Sequence, residues 1–248
     1  MSSRIAPIYA SIAIAATVPL WAASLTGPTE NWGAKVAAAE QKRDARIREV
    51  RAIRRYVLHN PRWKTDAVMT AMMSYDISGQ KHYEVLDVHA EGIQKTVLQR
   101  ILDGEVEQSA VRNDDGGSIN PENYDIVPIG EELLGGRRCM VVQLKPRRKS
   151  KMLLEGKAWI DMAEFAPVRV EGRPSKSLGF WVGKPYIVQD FRKVGDFWLS
   201  SRNQTVADVK MLGKTELTID FQDYFVAPKT GDVLMACSKR PCSPHLFD

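Results

Sequence analysis

Residues 124–146 have the sequence YDIVPIGEELLGGRRCMVVQLKP, in which two strand-like runs flank Gly135-Gly136. Apolar side chains recur along both runs, and a glycine pair is a common hairpin turn. The stretch therefore predicts an antiparallel hairpin, and it sets the pattern for everything that follows it in the chain.

Further strand-like runs follow at short, regular spacing, with turn residues such as Gly195-Asp196 and Leu212-Gly213 between them. Strands joined by short turns pair antiparallel, whereas parallel strands need long crossovers, which this part of the sequence lacks. The chain after Asn123 therefore predicts a meander, whose later strands are GKAWIDM, PVRVEG, YIVQDFRKV, FWLSSRNQTVADVKML and TELTIDFQDYF.

The residues before the meander predict one more hairpin, TDAVMTAMMSYD and QKHYEVLDV, around a turn at Ser78-Gly79. Both alternating faces of its first strand are rather apolar, which predicts a sheet that is covered on both sides or curved around an interior. Two helices complete the prediction. One runs from about Gly33 to Arg54, and the other covers EGIQKTVLQRILDGEVEQ with apolar side chains at helical spacing. The fold class is α+β, a large, strongly curved antiparallel sheet with a few helices.

The N-terminal residues have the order of a secretory signal peptide: a basic start at Arg4, an uncharged run from Ile5 to Ala23, and a small-residue exit at Ala22-Ala23-Ser24. We expect cleavage after a signal peptide of residues 1–24, and a single domain over residues 25–248. The alternative is a retained N-terminal membrane anchor, because an apolar run of this length can span a bilayer.

A basic segment, LKPRRKSKMLLEGKAWID, occupies residues 144–161. Export removes the chain from the chromosome, so nucleic acid is not expected as a partner, and the formal net charge of +5 is modest. Outside the cytoplasm such cations meet anionic lipid head groups, and transient contact with an anionic membrane is one interpretation. The other is an ordinary solvated turn. The cations of the proposed head-group rim are Arg147, Arg148, Lys149 and Lys151.

Three cysteines fit an oxidising compartment. Cys237 and Cys242 flank Ser-Lys-Arg-Pro and are predicted to close a small disulfide ring, whereas Cys139 lies in an apolar run and is predicted to be buried and unpaired. No metal-ligand spacing, cofactor motif or catalytic constellation is found, and the four histidines are scattered. We therefore expect no metal, no cofactor and no enzymatic activity.

Residues 120–224 resemble the outer-membrane lipoprotein-sorting proteins of the LolA/LolB-like superfamily. The similarity rests on the strand G-x-x-W-I-D from Gly156 to Asp161, the strand P-V-R-V-E from Pro167, the step F-W-L from Phe197, and the closing strand I-D-F-x-D-Y that ends at Tyr224. The resemblance implies a half-open β-barrel in the periplasm, with helices over an apolar concave face that holds acyl chains or other lipid moieties.

Large apolar side chains are the candidates for such a ligand groove, although ordinary core packing would explain any one of them. Arg169 could face a ligand carbonyl or pair with a carboxylate of a neighbouring strand, and we expect the pairing. The groove candidates are Met69, Met73, Tyr75, Leu98, Trp159, Phe180, Trp181, Phe191 and Trp198.

Two functions follow from the resemblance. In the first, the protein is a periplasmic carrier or chaperone of lipoproteins or other lipid-bearing cargo, which it passes to an envelope protein. In the second, it is an envelope sensor or protein-interaction module whose cavity is filled by its own side chains. A cavity large enough for an acyl chain would favour the carrier.

Overall fold

A computed structural model of the protein describes residues 30–76, 81–110, 117–179, 182–237 and 247. The predicted signal peptide and the predicted turn at Ser78-Gly79 lie outside these residues. Residues 31–248 form one compact unit. No helix among the described residues has the length and apolar character needed to cross a membrane.

Two helices lie against the sheet. Helix α1 (Trp32–Asp44) begins at Asn31, whose side chain accepts a hydrogen bond from the backbone N–H of Ala34 at 3.0 Å and so satisfies a donor that the first turn leaves free. Helix α2 (Ile93–Ala110) buries Leu98 and Leu102 against the sheet.

The described strands follow one another in chain order, and α2 lies between β3 and β4. They are β1 (Ile47–His59), β2 (Ala67–Asp76), β3 (Lys81–His89), β4 (Tyr124–Leu134), β5 (Arg137–Pro146), β6 (Leu154–Asp161), β7 (Pro167–Pro174), β8 (Tyr186–Val194), β9 (Phe197–Val209), β10 (Gly213–Pro228) and β11 (Leu234–Ala236).

All the described strands belong to one antiparallel sheet that does not close. Its order is β3-β2-β1-β10-β9-β8-β7-β6-β5-β4, and β11 pairs with the end of β10. β4 to β10 form the predicted meander, and β10 then returns to pair with β1 from Ile47↔Pro228 to His59↔Glu216. The pairing of β1 with β10 is the junction between the first three strands and the rest of the sheet.

Helix α1 ends ten residues earlier than predicted, since Ala45 caps it and β1 begins at Ile47. The predicted helix to Arg54 is therefore wrong. β-bulges at Ile47/Glu49 and Ile53/Arg54 interrupt the two-residue alternation of β1, so its apolar residues Ile47, Val50 and Ile53 fall at a spacing of three that resembles a helix. Long-range pairing with β10 then outweighs local helix propensity.

The remaining predicted elements are found within a few residues of their expected bounds, and three strands of the meander, β4, β5 and β8, match to the residue. The predicted fold class, an α+β fold with a curved antiparallel sheet and helices, is confirmed. β11 was not predicted, because its three residues are too few to show a pattern.

The main core lies on the concave face of the sheet. One cluster packs Trp32 and Val36 of α1 against β5, β6 and β7, and a second packs α2 against β1, β2 and Ile219 of β10. The two helices thus cover different halves of the concave face. The space between them is where a ligand site can form.

Candidate functional site

A cavity of about 600 Å³ lies between the concave face and the two helices. α1 contributes Val36 and Glu40 to its wall, and α2 contributes Glu105. Gly117 to Ile119, which lie between α2 and β4, complete this part of the wall. The floor comes from strands of both halves of the sheet, chiefly β7 to β10. Ligand sites in proteins typically enclose 300–1,000 Å³, so the volume is that of a small-molecule or lipid site.

One part of the cavity wall is apolar. Its side chains also belong to the core cluster under α1, so packing on their far side holds them in place. They come from α1, the 117–119 segment and strands β6, β7 and β8, and they are Val36, Ile119, Leu154, Val170, Ile187 and Phe191. Binding of an apolar ligand against this wall is favourable by about 25 cal/mol for each Å² of apolar surface that is removed from water.

A buried ion pair occupies the wall near α2. Arg54 of β1 is 4% exposed and donates two hydrogen bonds to the carboxylate of Glu105, at 2.5 Å and 3.0 Å. The hydroxyl of Tyr83 in β3 donates to the same carboxylate at 2.6 Å and accepts from Arg54 at 2.8 Å. The network fixes α2 to both β1 and β3.

Aromatic rings surround the guanidinium of Arg54. Its central carbon lies 4.6 Å from the ring centre of Phe221 and 5.1 Å from that of Tyr56. Burial opposes the charge of Arg54, but Glu105 and the tyrosines outweigh it and raise the pKa of the guanidinium. Burial also raises the pKa of Tyr83 well above its ordinary value. Arg54 therefore stays charged and its tyrosine neighbours stay neutral across the physiological pH range.

Polar side chains also line the floor of the cavity. Tyr224 of β10 donates a hydrogen bond to the carbonyl of Ser200 in β9 at 2.7 Å. Gln189 lines the floor from β8, which pairs with β9. Asn203 differs, because its side-chain oxygen is buried without a hydrogen-bond partner within the described part of the chain. An unpaired buried acceptor costs free energy, so the floor offers a binding position for a ligand donor such as a hydroxyl or an amide.

Glu40 of α1 lies in the cavity wall opposite α2. Burial raises the pKa of its carboxyl, and the nearby carboxylate of Asp44 raises it further. Burial and Asp44 likewise raise the pKa of Tyr75 across the cavity. The site thus joins an apolar wall to a charged one, as an amphipathic ligand requires.

Four of the predicted groove residues line this cavity: Met73 and Tyr75 of β2, Phe191 of β8 and Trp198 of β9. The Trp198 indole N–H donates to Glu164 at 3.0 Å, and the guanidinium of Arg137 lies over its ring. These contacts fix Trp198 at the end of the cavity near the β6–β7 turn.

Three predicted groove residues lie elsewhere. Met69 of β2 and Leu98 of α2 belong to the core cluster between α2 and the sheet, because α2 packs against that part of β2. Trp159 lies on the convex face with Cys139 and Val141, since its neighbours Ala158 and Ile160 take the concave side of the same strand. Phe180 and Trp181 lie outside the described residues.

Sequence reasoning missed the charged residues of the site. Arg54 was assigned to the end of a helix, and Glu105 was not singled out within the predicted second helix. One signal was available, because Arg54 and Arg55 interrupt a run of otherwise apolar residues from Ile53 to Leu58. A cation inside such a run has to be paired when the run is buried.

The predicted head-group rim lies on the loop between β5 and β6. Lys151 and the following Met152 line the cavity, which places this loop beside it. Arg147 is paired with Asp125 at 2.7 Å, and Lys149 is exposed. Arg169 pairs with Asp190 of the neighbouring strand at 2.6 Å, as predicted.

The cysteines occupy two different settings. Cys139 is a free, fully buried thiol, and Cys237 takes part in a disulfide bond. Cys242 lies outside the described residues, so the predicted ring stays a prediction. Across the described segments, no group of three or more His, Cys, Asp and Glu side chains is placed to hold a metal ion.

Three solved structures resemble the chain at low sequence identity. An outer membrane lipoprotein-sorting protein domain from Vibrio parahaemolyticus is 16% identical, with a TM-score of 0.45 over 81% of this chain and 93% of that one. A DUF1329 family protein from Desulfovibrio piger is 11% identical, with a TM-score of 0.41 over 90% and 98%. A LolA superfamily protein from Nitrosomonas europaea is 11% identical, with a TM-score of 0.35 over 86% and 97%.

The family comparison is more direct. No curated protein matches the chain by sequence. Residues 96–227, from α2 to the end of β10, match the model of a DUF1329-like family described as "Uncharacterized protein". That match covers more than half of the chain, and the chain therefore belongs to this family.

Proposed function

We propose that the protein is a non-catalytic periplasmic carrier that holds a lipid, or the acyl chains of a lipid-modified protein, in the cavity between its sheet and its two helices. The observation that carries the proposal is the cavity itself, which remains open at about 600 Å³ although packed cores lie on both sides of it. A protein whose interior served only as a scaffold would fill such a space, because interiors pack closely.

The composition of the wall supports an amphipathic ligand. Val170, Ile187 and Phe191 provide an apolar surface for a chain, and each methylene placed there contributes about 0.8 kcal/mol. Arg54, Glu105 and the unpaired oxygen of Asn203 provide polar groups for a head. Binding of this kind needs no reactive group, because burial of the chain supplies the affinity.

The open cavity also favours the carrier over the second function, an interaction module with a self-filled interior. If α2 acts as a lid over the cavity, its opening requires the separation of its inner face from the strands and the loss of the hydrogen bonds that Glu105 makes with Arg54 and Tyr83. The N-terminal sequence supports the periplasmic location, where a chain of this kind meets lipid-bearing cargo.

The test is native mass spectrometry, with lipid extraction, of the protein purified without detergent. We expect an added mass that extraction identifies as phospholipid or acylated peptide. The delipidated protein is then titrated with a fluorescent fatty acid. A clean unliganded mass together with no uptake of the fatty acid would reject the proposal.

A pair of substitutions on one strand tests the position of the site. Ile187 points into the cavity, and Val188 points to the opposite face of β8. Ile187→Trp fills part of the cavity and is expected to weaken fatty-acid binding at least ten-fold, whereas Val188→Trp adds the same bulk outside and leaves binding unchanged. Equal effects of the two variants would place the lipid elsewhere.

A further inference from the structure

The two ends of the sheet differ in charge. At the end where β5 finishes and β6 begins, the described connecting residues hold nine Lys and Arg side chains and three carboxylates. At the opposite end, the connecting residues that the structure describes hold two cations, Arg46 and Lys229, and three carboxylates. The first end, called the basic end below, comprises residues 60–66, 90–92, 117–123, 147–153, 175–179, 182–185 and 210–212.

Hydrogen bonds join neighbouring segments at the basic end. The backbone N–H of Lys176 donates to the carbonyl of Ser150 at 3.1 Å, and that of Gly183 donates to the carbonyl of Asp208 at 2.8 Å. Arg62 then donates to the carbonyl of Met211 at 2.6 Å. The cations therefore lie at one end of the sheet, on segments that these hydrogen bonds join in pairs.

An apolar side chain stands at the tip of this surface. Met211 is 81% exposed in the turn between β9 and β10, and its φ of +73° is a conformation that glycine or asparagine adopts at lower cost. Met152 is 41% exposed and lies both on the basic end and in the cavity wall. Backbone strain such as that at Met211 is found mainly at functional positions, and the exposure of this side chain excludes a role in core packing.

We propose that the basic end docks on an anionic phospholipid bilayer, with Met211 entering the interface between head groups and acyl chains. Exposed cations around an apolar tip fit this surface on two counts, since anionic head groups attract Lys and Arg and the acyl boundary accepts a methionine side chain. Docking in this orientation places the Met152 side of the cavity at the membrane. The docking itself does not require that the cavity bind lipid.

The test is co-sedimentation of the full-length protein with vesicles of phosphatidylglycerol mixed with phosphatidylcholine, and with vesicles of phosphatidylcholine alone. We expect stronger binding to the anionic vesicles than to those of phosphatidylcholine alone, and a smaller difference between the two as salt increases. Lys149→Gln with Lys176→Gln is expected to weaken partition on the order of 20-fold, because each cation near an anionic surface contributes roughly five-fold. Met211→Ser is expected to weaken it roughly ten-fold.

Matched controls come from the opposite end of the sheet. Lys42→Gln with Lys229→Gln removes two exposed cations near that end, and Leu133→Ser removes an apolar side chain that is 72% exposed there. Neither is expected to change vesicle binding. All variants retain residues 1–29, so any contribution of that segment is the same in each comparison.

The outcomes separate this proposal from the carrier function. Ile187→Trp should lose the fatty acid and still bind vesicles, whereas Met211→Ser should do the reverse. Equal binding to both kinds of vesicle, or an equal effect of variants at the two ends, would overturn membrane docking. A second result would overturn it as well. If the Lys149→Gln with Lys176→Gln variant bound anionic vesicles as well as the unchanged protein but no longer bound an acidic protein, the basic end would be assigned to a protein partner.

Discussion

At the scale of the residue, Arg54 determines much of the site. It is a charge in the core, and its cost is offset only because Glu105 and Tyr83 bind it from a helix and a strand that are distant in sequence. Neither partner was predictable, because the sequence shows which residues are charged but not which elements the fold brings together. Met73 and Phe191 were predictable, since side chains alternate between the two faces of a strand and the large apolar ones usually face the interior.

Glu105→Gln is expected to destabilise the protein by roughly 3 kcal/mol, because it leaves the buried charge of Arg54 without a counterion. Urea unfolding measures the loss, and the double variant Arg54→Met with Glu105→Gln should recover most of it. The control is Glu131→Gln in the exposed pair with Arg138, where we expect a loss of no more than about 1 kcal/mol. Equal losses at Glu105 and Glu131 would contradict a structural role for the buried pair.

Glu40→Gln is expected to stabilise the protein at neutral pH. The folded-state pKa of Glu40 is raised from its ordinary value of 4.5, so the folded state opposes ionisation, and this penalty grows as the pH rises through the folded-state pKa. Below 4.5 the carboxyl is protonated in both states and the penalty is absent. Thermal unfolding should show a gain in Tm on the order of 1–2 °C at neutral pH and none in acid. Exposed Glu155→Gln serves as the control, and a gain at acidic pH would contradict the assignment.

At the scale of the element, the hairpin of β6 and β7 illustrates a close approach between backbones. A Cβ on Gly156 would lie 2.0 Å from the carbonyl oxygen of Glu171 and 2.6 Å from the Cα of Gly172. The glycine of the G-x-x-W-I-D strand thus serves the pairing of two strands rather than a ligand. β1 was not predictable, because its bulges give the apolar residues of a strand the spacing that is typical of a helix.

Gly156→Ala is expected to destabilise the protein by roughly 3 kcal/mol, because β6 and β7 must separate to admit the methyl group. Gly104→Ala is the matched control, since the space around Gly104 in α2 is open and alanine favours a helix by roughly 0.5–1 kcal/mol. Urea unfolding of both variants should therefore give effects of opposite sign. A stable Gly156→Ala protein would show that the backbones of β6 and β7 lie further apart than they do in this structure.

At the scale of the whole molecule, the meander from β4 to β10 was predictable because each strand pairs with its neighbour in sequence. The return of β10 to β1 was not, since no local pattern encodes a pairing between residues 47–59 and 216–228. The cavity depends on that return, because its wall joins Arg54 of β1 to the strands of the meander. A site built across such a junction is visible only in the folded chain.

The junction of β1 with β10 also has a consequence for biosynthesis. About 150 residues separate the end of β1 from the start of β10, which takes a ribosome roughly 10 to 30 seconds to translate. During that interval one edge of β1 has no partner, and the first three strands cannot join the rest of the sheet. The nascent chain stays open until synthesis is almost complete, in a form that chaperones can bind and that a translocation channel can thread.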